Sequence, residues 1–317
     1  MPLCAHAAFV LVTLGLAHPA AAQSRLLFRQ PHGAYTVEIR QSDAPCDDAP
    51  SGRLFGPNHV FDASGFAVPG RTPECPPGQT VTLRHRGQAV DSLGAFRVWL
   101  GAEMDTLLLW GDRSPADLPL PAGAVRDLTG DGTPELVVGT WSGGAHCCRS
   151  YAVVSLGETP RLLGVIDTQD SELRVEVGAD GVPMLVHHDF AFAYWNESFA
   201  GSPAPRVVLT WDGERFAPDP DRMTEPPLPA GDFSRLVAET RADAAWASAF
   251  PPSAYWGTLL DLLYAGRSAQ AAAFARDAWP GDALGRAVFL RWFSDQLSQS
   301  PYGTDVADRS REAVDWL

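Results

Sequence analysis

The chain has no lysine: all 24 of its basic residues are arginine. That absence removes Schiff-base chemistry, a pyridoxal-phosphate lysine and the lysine of a phosphate-binding P-loop. Isoleucine and asparagine are also scarce, while Ala, Gly, Pro and Arg are abundant, the bias of a GC-rich coding sequence. Several familiar catalytic signatures are missing. There is no Gly-x-Ser-x-Gly elbow, because Thr140 rather than Gly stands two residues before Ser142. Neither His-Glu-x-x-His nor a dinucleotide fingerprint occurs. Carboxylate pairs leave no local signature, so an enzyme of that kind stays open. Positive charge is in deficit too. The net charge of −14 repels nucleic acid and anionic lipid, so no nucleic-acid partner is expected.

Long apolar runs are confined to the start. An apolar stretch over residues 7–16 is followed by Pro19 and then Ala20, Ala21 and Ala22. This is the layout of a cleaved secretory signal over residues 1–22, which predicts a periplasmic or secreted protein. The stretch is too short to span a bilayer, and nothing later in the sequence is longer, so no membrane insertion is expected. Cys4 precedes the apolar stretch and is badly placed for a lipid anchor. Four cysteines follow the signal: Cys46, Cys75, Cys147 and Cys148. In an oxidising compartment an even set predicts disulfides, and four cysteines allow three pairings. One pairing closes a polar loop with Cys46 and Cys75 and leaves Cys147 and Cys148 as a vicinal bridge. The others tie the N-terminal loop to the central cysteines.

What the sequence does contain, up to about residue 222, is β patterning. Short runs rich in Val, Leu, Trp and Tyr alternate with Gly, Pro and Asp. They fall at 35–40, 80–86, 96–100, 106–110, 135–141, 151–156, 173–177, 184–188 and 206–211. Asp212-Gly213 marks a tight hairpin turn. A Pro-rich stretch over 218–229 then separates this part from one of helical period. Phe233, Leu236, Val237 and Thr240 share one helix face. Leu259, Leu260, Leu262 and Leu263 line a second helix, ended by Gly266. Residues 271–279 form a third, and 284–297 a fourth capped by Asp282. The expected fold is α+β: a mainly antiparallel β domain at 23–225, propeller-like or a twisted sheet, then a small C-terminal helical bundle at 226–317.

The segment with most chemistry is Asp127-Leu128-Thr129-Gly130-Asp131-Gly132-Thr133-Pro134-Glu135. Oxygen-bearing side chains stand at its first, third, fifth and ninth positions, Gly132 is free to reverse the backbone, and the Thr133 carbonyl can add a further oxygen. Calcium is a hard cation that takes six to eight oxygens. The competing reading is a turn whose Asp side chains bond local amides. The closing acid comes at the ninth position and enters a strand, so the loop is not an EF-hand. A second turn, Asp180-Gly181-Val182-Pro183-Met184, lies 49 residues after Asp131-Gly132-Thr133-Pro134-Glu135. That offset falls within the range for one propeller blade.

The pattern Asp-x-Thr-Gly-Asp-Gly-x-Pro-Glu-Leu, followed by apolar strand residues, resembles the calcium loop of FG-GAP/VCBS-type repeats, which build integrin-like β-propellers. The resemblance implies calcium as cofactor, with Asp127, Thr129, Asp131, Thr133 and Glu135 as ligands. Thr129 stands where the family has Asp or Asn. In the second copy Gly178 and Met184 supply no side-chain oxygen, so that turn is expected to be metal-free.

Three further segments are candidates. His146-Cys147-Cys148 is either a soft-metal site for copper or zinc or a disulfide-held loop. His187 and His188 end a strand and point to opposite faces, so they are expected as a surface pair rather than joint ligands. Phe190, Phe192, Tyr194, Trp195 and Phe199 form either core or a sugar or peptide groove. The expected function is therefore an exported, calcium-stabilised binding or structural protein with a protein or glycan partner. The alternatives are a periplasmic hydrolase with carboxylate chemistry on the β domain, and a copper- or zinc-handling protein using His146, Cys147 and Cys148.

Overall fold

In the runs Leu136-Val137-Val138 and Tyr151-Ala152-Val153-Val154 no polar residue interrupts the apolar ones. A strand turns successive side chains to opposite faces, so such runs need cover on both sides. A computed structural model of the chain shows that cover. It describes residues 24–42, 59–61, 67–69, 79–95, 97–101, 124–141, 149–248 and 250–311.

Three antiparallel sheets carry the first two thirds of the chain. The first joins β1 (Ser24–His32), β2 (Tyr35–Ser42), β5 (Gln79–His85) and β6 (Gln88–Ala95) in that order. A separate hairpin pairs β3 (His59–Phe61) with β4 (Ala67–Pro69). The second sheet has the order β11 (Arg161–Gln169), β10 (Arg149–Ser155), β9 (Glu135–Trp141), β7 (Arg97–Leu100), and β8 (Val125–Arg126) also pairs with β9. The third runs β12 (Arg174–Val177), β13 (Pro183–His188), β14 (Arg206–Trp211), β15 (Phe216–Pro218).

The second sheet lies between two cores. Val98, Leu100, Leu136, Val138, Ala152 and Val154 meet Phe28, Val37, Ile39, Val81 and Leu83 of the first sheet. Their neighbours Trp99, Val137, Tyr151 and Val153 turn the other way, into a core shared with the third sheet and the helices. Trp99 lies across Gly139, its registered partner on β9, and only a residue without a side chain leaves room for the indole.

The helices are α1 (Pro220–Met223), α2 (Ala230–Arg241), α3 (Ser253–Tyr264), α4 (Ser268–Asp277), α5 (Ala283–Leu297) and α6 (Gly303–Ser310). α3 is apolar on nearly every side, burying Tyr255, Trp256, Leu259, Leu260, Leu262 and Leu263, and so becomes the centre of its layer. Gly266 follows it at φ 68°, the left-handed geometry that ends a helix. Asp282 caps α5 by accepting from the Gly285 amide at 2.7 Å. Leu185, Val207 and Leu209 of the third sheet share one continuous core with Trp256, Leu260 and Phe293 of the helices. Apolar packing thus continues through the Pro-rich stretch that divides the sequence.

The α+β class expected from the sequence is the one found, with antiparallel sheets first and helices last. Of the two β arrangements left open, no closed barrel or propeller is present among the described residues. Eight of the nine expected strands are present. The ninth, 106–110, lies outside the described residues, as do residues 1–22 and the four mature cysteines. Strands β1, β3, β4, β6, β8 and β11 and helices α1 and α6 were not expected. Arg161–Gln169 mixes exposed and buried positions without strict alternation, which hid it.

Candidate functional site

The loop between β8 and β9 is built from its own carboxylates. Asp127 Oδ1 accepts from the Gly130 amide at 2.6 Å, and Oδ2 accepts from the Gly132 amide at 2.9 Å. Asp131 Oδ1 accepts from the Thr133 amide at 2.7 Å. Gly130 and Gly132 have φ of 77° and 86°, conformations that L side chains avoid. These are the amide bonds of a self-supporting Asp turn.

Glu135 departs from that pattern. It is 0% exposed at the first position of β9. Its Oε2 accepts from the Leu128 amide at 2.7 Å and the Thr129 amide at 3.3 Å. Its Oε1 is buried with no hydrogen-bond partner. Burial is the main cause that raises the Glu135 carboxyl above the usual range, and the like charges of Asp127 and Asp131 add to it. Asp131 is instead held low, chiefly by the Thr133 amide and hydroxyl. Among the described residues no Arg or His forms an ion pair with Asp127, Asp131 or Glu135. Nor do three His, Cys, Asp or Glu side chains among them already stand gathered around one metal position. A cation would have to draw the loop's oxygens together.

The second turn has a different occupant. Asp180 Oδ1 accepts from the Val182 amide at 3.1 Å, while Oδ2 pairs with Arg222 Nη2. Arg222 Nε also donates to Asp219 Oδ2 at 3.1 Å. Nothing local in the sequence pointed to Arg222, which stands 42 residues beyond Asp180.

The histidine pair splits as strand geometry requires, but it is not a surface pair. His188 is exposed, whereas His187 is 2% exposed and faces the helical layer. Its Nε2 meets the Tyr302 hydroxyl at 2.7 Å and its Nδ1 lies 3.0 Å from the His188 carbonyl. The carbonyl can only accept, so Nδ1 carries the proton and Nε2 accepts from Tyr302. Desolvation lowers the His187 pKa to about 4. Beside it, Asp189 accepts from the hydroxyls of Tyr264 and Ser300 (2.6 Å for Ser300) and from the Ala191 amide at 2.9 Å. These bonds join the end of β13 to α3 and to the turn before α6.

The aromatic segment divides between surface and interior. Phe192 and Trp195 enter the core, where Trp195 packs edge-on against Trp256 at 5.2 Å. Phe190 stacks on Phe199 at 5.3 Å, and Tyr194 stays exposed beside Phe199. Tyr194 and Asn196 have φ of 61° and 58°. His146, Cys147 and Cys148, the candidate soft-metal residues, lie outside the described residues. So do Cys46 and Cys75.

No protein-family model matches the chain, and no curated protein or solved structure is significantly similar to it.

Proposed function

We propose that the protein is an exported, calcium-stabilised binding or structural protein whose cation is held by the 127–135 loop. The observation that carries this reading is Glu135 Oε1: a buried carboxylate oxygen without a partner, close enough to Asp127 and Asp131 to feel both charges. An unpaired buried acid is costly, and a divalent cation removes that cost by supplying opposite charge. Hard oxygen donors from Asp127, Thr129, Asp131 and Glu135, with Thr133 beside them, suit calcium rather than a soft metal.

The loop joins β8 to β9, and β9 is the central strand of the sheet buried on both faces. Calcium there would brace the middle of the sheet stack, a structural task rather than a catalytic one. The bonds of His187 and Asp189 engage Tyr302, Tyr264 and Ser300 and serve to hold the helices on the third sheet. The partner class proposed is a protein or a glycan, bound from the periplasm or outside the cell. Among the described residues no helix is long and apolar enough to cross a membrane.

Thermal unfolding of residues 23–317 with calcium and with excess chelator tests the reading. Calcium at a hundred times its dissociation constant should add about 2.7 kcal/mol. An unchanged midpoint, together with no calcium binding at millimolar concentration, would reduce the loop to an ordinary Asp turn.

A further inference from the structure

The two Asp-Gly turns share one side-chain bond and one backbone geometry. Oδ1 of Asp131 takes the amide two residues on, and Oδ1 of Asp180 does the same. The glycines that follow, Gly132 and Gly181, have φ of 86° and 81°. With that correspondence, Thr129, Asp131 and Glu135 match Gly178, Asp180 and Met184.

In the second turn a guanidinium fills the space among those three positions. Arg222 Nη2 bonds Asp180 Oδ2, and Nη1 lies 3.5 Å from Met184 Sδ. A Cβ placed on Gly178 would fall 2.4 Å from Nη1. The opposite edge of the guanidinium is held by Asp219, the N-cap of α1. The residues that looked like defects in the second copy now have a physical reason. Position 178 carries no side chain because the guanidinium needs the room. Position 184 needs no oxygen, because Asp180 and Asp219 already face this single positive charge. The first turn has the reverse composition: three carboxylates and no ion pair with any described Arg or His.

We infer that Arg222 is the built-in cation of the second turn, standing where a divalent ion would stand in the first. The comparison rests on the calcium reading of the first loop, but the test does not. One consequence is that the second turn takes no calcium while Arg222 is in place. Another is that the corner between β12 and β13 is tied to α1 without any metal.

The test compares Asp131→Ala with the double variant Asp131→Ala, Arg222→Ala. Thermal unfolding is followed with and without millimolar calcium chloride, with ionic strength matched by sodium chloride. Asp131→Ala silences the first loop, so its midpoint should ignore calcium. In the double variant the carboxylates of Asp180 and Asp219 are left facing the vacated place, where calcium should replace the guanidinium between them and raise the midpoint by about 2 °C or more. Arg222→Lys, which keeps a positive charge, should retain most of the wild-type midpoint. Equal calcium responses in the single and double variants would overturn the inference and leave Arg222 an ordinary ion pair. If the double variant does not fold, Arg222→Ala alone decides by calorimetric titration: one additional calcium site supports the inference, and an unchanged number overturns it. Failure of the first-loop reading shows separately, as the same calcium response in wild type and Asp131→Ala.

Discussion

The indole of Trp99 lies so close over Gly139 that a Cβ there would fall 2.0 Å from the ring. Trp99 is fully buried and packs edge-on against Tyr151, with ring centroids 5.5 Å apart, so it has no room to withdraw. Gly139→Ala should therefore destabilise the protein by about 3 kcal/mol, the upper range for overpacking a core. Urea unfolding would measure it. A loss under 0.5 kcal/mol would mean that the indole is not held against the strand.

Glu135→Gln should have opposite effects with and without calcium. The folded-state pKa of Glu135 is raised, so without metal its ionised form opposes folding, and stability falls as pH rises through that pKa. In chelator at pH 7 the glutamine variant should equal or exceed wild type by about 1 kcal/mol. In calcium the order should reverse, since the variant has lost a charged ligand. Chemical denaturation in both buffers checks this, and the same ranking in both would argue against a cation at Glu135.

His187 makes the fold acid-sensitive. The unfolded chain takes up this proton near the ordinary 6.5, whereas the folded protein resists until about 4. Its contribution is complete above 6.5 and is lost as pH falls through that window, by up to about 3 kcal/mol. Desolvation is the largest influence; the His188 carbonyl and the Asp189 charge favour the protonated ring, and the charge of the His188 ring opposes it. His187→Phe should flatten the slope of stability between pH 6.5 and 4. An unaltered slope would assign the acid sensitivity to other groups.

Asp189→Ala should cost about 3 kcal/mol, because the buried hydroxyls of Tyr264 and Ser300 lose a charged acceptor. Tyr264→Phe removes one donor and should cost less. Hydrogen exchange at α3 and α6 would show whether the loss loosens the helices from the third sheet. Protection confined to its wild-type pattern would place the coupling elsewhere.

Much of the scaffold was legible locally. Alternation marked β2 and β5, an uninterrupted apolar run marked β9, Asp212-Gly213 marked the β14–β15 hairpin, and Asp282 and Gly266 marked helix ends, because each signal acts within a few residues. The 127–135 loop was legible for the same reason: its bonds span two to seven residues. The histidine pair was read correctly as facing opposite ways, but its surface position was not, since burial depends on what packs above the strand.

The sequence by itself determined the order of strands and helices, the turn chemistry and the clustering of acids in one loop, all of which follow from backbone geometry at short range. Only the tertiary structure decided which acids keep a free oxygen and which are paired. Arg222 reaches Asp180 across 42 residues, and Tyr302 reaches His187 across 115. Such partners are chosen by how sheets and helices stack, and burial then sets the energetic weight of each charge, because an ion removed from water must find its counter-charge wherever the fold brings one.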